Sequence, residues 1–232
     1  MNNDQRDIRR KLQRKNPLRS AQRKSIKAKS NVSLIGPCYT LQQRSRATVK
    51  AILDAAARLL IQQGYAVTST NTIADIAGVS IGSLYEYFPG KEAVFAELRR
   101  RESSKYVSRL TAGPAPETPH AMLEYLVRAH IEHVRSNLAL HVALQTEVPR
   151  FAIATIEADI FGNFIAQSNA FLNVHQQAIR PKATVPFVSE FLMRVLRSTI
   201  DDYAHHSPEH LEHTDLANEI VELLSRYLLV DH

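Results

Sequence analysis

Residues 72–92 read TIADIAGVSIGSLYEYFPGKE. Ile73 and Ala77 stand four apart and share one face of a short helix. Gly78 stops that helix, because glycine enters the left-handed cap conformation without a steric cost. Val79 is an apolar residue for the angle between two helices, and Ser80 is a good N-cap for the second. Leu84 and Phe88, again four apart, form the inward face of that second helix, and Pro89-Gly90 ends it. Two short helices joined by a glycine turn make a helix-turn-helix, whose second helix fits the major groove of DNA. The outward face of this one carries Ile81, Ser83, Tyr85, Glu86 and Tyr87, with Gly82 removing bulk. Hydroxyls here suit phosphates or base edges, an exposed Ile81 suits a thymine methyl, and the helix start favours phosphate. Lys91, just beyond, offers one more phosphate contact.

Moving outward, Val49, Leu53, Ala56 and Leu60 recur at helical intervals and predict a helix from Ser45 to near Gly64. A polar connector, AVTSTN (66–71), leads from it into the decisive stretch. On the other side, AVFAELRRRESSKYVSRL (93–110) puts Val94, Phe95 and Leu98 on a further helix. TAGPAPETP (111–119) then holds three prolines and a glycine and marks the boundary between an N-terminal and a C-terminal unit. No strand-like alternation follows. Helices are predicted over about 119–135, 138–147, 150–175, 186–204 and 212–229, punctuated by Pro149, Pro181, Pro186 and Pro208. The expected fold is all-α.

The chain has 232 residues, 44% of them apolar, enough to bury a core without disulfides or metals. Cys38 is its single cysteine, so no intrachain disulfide or cysteine zinc site is available. No apolar run is long enough for a membrane span, and no apolar segment follows the basic N-terminus as a secretory signal requires. A cytoplasmic protein without membrane association is expected. The net charge of +6 is unevenly placed. Residues 1–30 carry eleven Lys/Arg against Asp4 and Asp7, whereas the other 202 residues carry 18 basic and 21 acidic side chains. A basic segment on a mildly acidic body fits a polyanion partner, or else a solvated arm. Residues 1–44 read as a basic, disordered extension.

The block from RATVKAILDAAARLLIQQGYAVTST (46–70) through IADIAGVSIGSLYEYFPGKEAVFAEL (73–98) resembles the tetracycline-repressor (TetR) family of transcriptional regulators. The "GY" after the first helix, the pattern IA..AGVS.G.LY.YF..KE and the trailing apolar helix match in order and spacing over about 50 residues. The resemblance implies a three-helix DNA-binding domain over 45–92, then a helical domain over 93–232 that binds a small ligand and dimerises through its last two helices. It implies that Thr70 caps the second helix and touches phosphate. Asn71, Ile81, Gly82, Ser83, Glu86 and Tyr87 fall where the family reads bases or adjoining backbone, at the helix that Ser80 begins. Tyr85 and Lys91 fall where it clamps phosphates. Glu86 departs from what an anion-binding face prefers; it either accepts from a cytosine amino group or points away. Arg44 and Arg46 lie where an arm would extend along DNA.

In the C-terminal part, the last two predicted helices are apolar on more than one stripe. Phe191 and Val195 belong to the first, and Ile220, Leu224 and Tyr227 to the second. Two-faced helices from two chains can form a four-helix homodimer interface, which sets two reading helices about 34–36 Å apart for a palindromic operator. The alternative is that both faces pack within one chain. Polar groups on otherwise apolar faces (His130, His133, His141, Gln145, Gln167 and Ser168, with Phe164 beside them) are candidates for a ligand pocket or for internal hydrogen bonding. An apolar or aromatic effector is preferred. His206, His210 and His213 sit in a Pro-interrupted connector, and neither a metal nor a cofactor is expected. No phosphate loop, nucleophile elbow or paired carboxylates point to an enzyme. The expected function is a repressor released from double-stranded operator DNA by a small molecule. The alternative is a basic architectural DNA-binding protein without an effector.

Overall fold

The computed structural model describes residues 43–113, 116–180 and 184–230. The expectations for the basic extension, and for the Arg44 side chain, lie outside what it describes. The described residues form nine α-helices: α1 (Gln43–Val67), α2 (Thr70–Ala77), α3 (Ile81–Tyr87), α4 (Lys91–Leu110), α5 (Pro119–Arg135), α6 (Leu138–Thr146), α7 (Arg150–Val174), α8 (Val185–His206) and α9 (Thr214–Leu228). Their only extended pairing is a single bridge between Ile179 and Leu229. None of these helices is long and apolar enough to cross a membrane.

Local chemistry accounts for the boundaries. The α1 ladder breaks at Gly64, whose φ of 84° and ψ of 169° belong to a region essentially closed to other residues. Helical bonding resumes to Val67, so the expected connector over 66–71 shrinks to Thr68-Ser69. Ser69 caps α2 by accepting from the Thr72 amide at 3.1 Å. This corrects the role assigned to Thr70, which is already the first helical residue. Pro119 opens α5 behind the Thr118 cap, and Pro186 lies in the first turn of α8, where a missing N–H costs nothing. The segment expected as an exposed connector near His210 is a 3-10 turn, Pro208–Glu212, anchored by buried Leu211.

Two apolar clusters organise the chain. The first gathers Ile52, Leu60, Ile73, Leu84, Phe88 and Phe95 from α1 to α4. It also takes in Leu140, Ala143, Leu144, Val148 and Ile153, from α6 and the start of α7. The second joins α5, α8 and α9 through residues such as Val127, Leu196, Ile200 and Leu224. The long α4 packs on the first cluster as far as Leu98 and stays buried along Arg99, Glu102 and Tyr106, whose ring meets those of His130 and His133 on α5.

Candidate functional site

The turn between α2 and α3 is built as its residues require. Gly78 is left-handed (φ 68°, ψ 32°) and donates to the Asp75 carbonyl, while Val79 donates to that of Ala74 at 3.0 Å. Ser80 accepts from the Ser83 amide at 3.0 Å, and their hydroxyls lie 2.9 Å apart. Leu84 and Phe88 are buried. Ile81, Gly82, Tyr85 and Glu86 are exposed, as are Arg46, Asn71 and Ser80. Thr70 and Ser83 are half-buried. The Thr70 and Tyr85 hydroxyls meet at 3.2 Å, which brings the two expected phosphate contacts to one place.

Two residues of this set sit differently. Tyr87 is half-buried and packs on the first cluster, so its ring supports α3 as much as it faces outward. Lys91 is turned inward. Its ammonium donates to the Tyr65 carbonyl at 3.0 Å and lies 4.0 Å from the centre of the Tyr65 ring. This corrects its assignment as a free phosphate contact: it closes the end of α1 instead. Around it, Tyr65 stacks edgewise on Phe95, and burial with the nearby Glu92 carboxylate raises its phenol to about 12. The Tyr65 amide donates to Glu147 Oε2 at 3.0 Å, so a carboxylate at the α6–α7 corner holds the kink that ends α1.

A cavity of about 400 Å³ opens among α4, α5, α7, α8 and α9. Its wall is mainly apolar, including Leu110, Met122, Leu126, Phe171 and Leu192, and the expected residues Phe164, Gln167 and Ser168 all line it. Tyr125 also faces it, with its hydroxyl donating to the carbonyls that end α4. His130, His133 and His141 line a second, smaller space with Phe164. Burial depresses the His130 imidazole to about 3 and, with the nearby His141, the His133 imidazole to about 4.

Gln145 lines neither space. It donates to Asp201 Oδ2 at 3.2 Å, while His141 Nε2 pairs with Oδ1 at 2.8 Å. Both were candidate ligand contacts; for Gln145 the internal bond is the corrected assignment, made because a polar group on a buried face takes the carboxylate within reach. Burial works to raise the Asp201 carboxyl, but the His141 bond and the charges around it outweigh burial and hold it low. Arg197 links Asp201 to Glu157, which also pairs with Arg99. Sequence reading missed Arg99, Tyr106, Glu157, Arg197 and Asp201. A signal existed for one of them: Leu98, Glu102 and Tyr106 repeat every four residues, extending the buried stripe of α4.

The expected interface residues divide. Ile220 and Leu224 are buried within the chain's own second cluster, at 5% and 2% exposure, and are corrected to core residues. Val195 and Tyr227 are half-buried on that cluster. Phe191 is exposed, stacks with exposed Phe187 and touches Tyr227, and Leu223 beside them is 62% exposed. The open apolar face therefore lies at the edge of the stripe named from sequence.

Known proteins share this arrangement. The family of bacterial regulatory proteins named tetR matches residues 52–98, and the tetracyclin repressor-like C-terminal domain matches residues 118–228. The transcriptional regulator RutR of Escherichia coli K12 is 35% identical over 100 residues, 42% of this chain and 47% of RutR. The chain thus spans about half the length of the curated relatives it matches. Among solved structures, NalD, the secondary repressor of the MexAB-OprM multidrug efflux pump in Pseudomonas aeruginosa, superposes with a TM-score of 0.67 at 20% identity, covering 81% of this chain and all of NalD. FadR of Bacillus subtilis, in complex with stearoyl-CoA, gives 0.61 at 20% identity over 77% of this chain and 98% of FadR. With both domain models in register on one chain, and the fold shared, the protein belongs to the tetR family of bacterial regulatory proteins.

Proposed function

We infer that the protein is a homodimeric regulator that binds a palindromic DNA operator as a repressor and leaves it when a small molecule binds. The observation that carries this reading is the outward flank of α3: Ile81, Gly82, Tyr85 and Glu86 are exposed beside a stable turn, while Leu84 and Phe88 hold the helix from behind. The body over 93–232 supplies the apolar cavity for an apolar or aromatic effector. Helix α4 is the lever, because it lines the cavity at Leu110 and packs into the reading head at Phe95. A ligand acts only by favouring the arrangement with the wrong spacing between two reading helices.

Footprinting of the purified protein on genomic DNA with excess competitor tests this. A protected palindrome with half-sites one helical turn apart is expected. Ile81→Glu should weaken binding to that site at least about tenfold and leave the melting temperature unchanged. Protection without sequence preference would favour an architectural DNA-binding role instead.

A further inference from the structure

Beside the large cavity lies the smaller one, of about 60 Å³. Phe164, Met193 and Leu196 line both, so the two spaces adjoin across these side chains. The small one is more polar than the large one, with Arg99, Ser103, Tyr106, His130 and His133 facing an apolar side that includes Ile160 and Phe161. Three of its lining residues carry a buried polar atom without a hydrogen-bond partner: the Tyr106 hydroxyl, Nε2 of His130 and Nε of Arg99. Tyr106 and Arg99 are only 6% and 8% exposed. Buried polar atoms are normally paired, so three on residues lining one small space mark a place built for an oxygen or nitrogen the chain does not itself supply.

The surrounding charges are already matched. Arg99 pairs with Glu157 at 3.0 Å, and Arg197 bridges Glu157 and Asp201. Burial keeps His130 and His133 neutral at ordinary pH. A charged head group would therefore enter without a counter-charge and pay the full desolvation cost. A neutral one loses little water and gains the free donors.

We propose that the effector is an uncharged amphipathic molecule whose apolar body fills the large cavity while a hydroxyl or carbonyl oxygen enters the small one and accepts from the Tyr106 hydroxyl. This rests on the large cavity being the effector site and adds what the effector must carry. It also places the polar contact on α4 itself, one turn before Leu110.

Naphthalene, 2-naphthol and 2-naphthoate share one body and differ only in the head. The chain has no tryptophan, so naphthyl fluorescence reports their binding cleanly. The wild-type protein should bind 2-naphthol about tenfold more tightly than naphthalene, and 2-naphthoate more weakly than 2-naphthol. Tyr106→Phe, which removes one unpartnered oxygen and keeps the ring, should bring 2-naphthol within about twofold of naphthalene and leave naphthalene unaffected. Equal binding of 2-naphthol and naphthalene to wild type would overturn the proposal, because the small space would then hold water alone. So would a preference that survives Tyr106→Phe and vanishes in Gln167→Leu, or tighter binding of 2-naphthoate. Failure of all three probes to bind would sink the effector site itself, and the proposal with it.

Discussion

Gly64 joins two parts of the chain through a backbone conformation and a missing side chain. A Cβ there would run into the Glu147 carboxylate that holds the Tyr65 amide, and φ of 84° is strained for any other residue. Gly64→Ala should therefore cost about 1–3 kcal/mol, seen as a lower urea midpoint at an unchanged denaturant slope. An unaltered midpoint would mean the kink relaxes into ordinary helix. At this scale the sequence was legible where chemistry is local. Gly78, Ser80, Leu84 and Phe88 declare their roles within a few residues of themselves. Lys91 and Glu147 do not, because the groups they bind lie 26 and 82 residues away. A lysine past a helix looks the same in sequence whether it meets a phosphate or a carbonyl.

Among the elements, period and punctuation located every helix of the body to within a residue or two, because prolines and caps act locally. Periodicity could not say which stripe of a two-faced helix its own chain covers. On α9, Ile220 and Leu224 turn inward and Leu223 outward, a difference of one residue in rotation about the axis. The open face of α8 and α9, with Phe187, Phe191, Leu223 and Tyr227, is the surface we assign to the second copy. Phe191→Glu combined with Leu223→Glu should yield a monomer in sedimentation velocity with its helical content retained. Leu224→Glu should instead unfold the protein, since it buries an unpaired carboxylate in the core. A double variant that stays dimeric would move the interface elsewhere.

For the molecule as a whole, the buried imidazole of His130 ties stability to acidity. Its ordinary value of 6.5 applies in the unfolded chain, and burial lowers it to about 3 in the folded one. Between these values the unfolded state takes up a proton that the folded state refuses, so stability rises with pH. It should fall as pH drops below 6.5, by up to about 1.4 kcal/mol per pH unit for this group, and level off near 3. His133 acts in the same direction down to about 4. Thermal melts from pH 7 to 4 should show the decline, and His130→Gln should flatten it. Parallel curves for the two proteins would mean that His130 ionises freely in the folded state. Beyond the polar residues on apolar faces and the α4 stripe that reaches Tyr106, this network was not legible from sequence, because its members come from α4, α5, α6, α7 and α8.

The first apolar cluster runs from α1 through Ile153, with Leu140, Leu144 and Val148 closing its floor. A splice placed ahead of α4, to graft this reading head onto a foreign partner, would strip that floor away and leave greasy surface bare. An exchange that keeps the cluster whole must carry everything up to the first turn of α7. Half of the large cavity's lining, from Leu110 to Val127, then travels with the head and half stays behind, so under the proposed function the DNA-reading helix and the effector wall are not interchangeable modules in this chain.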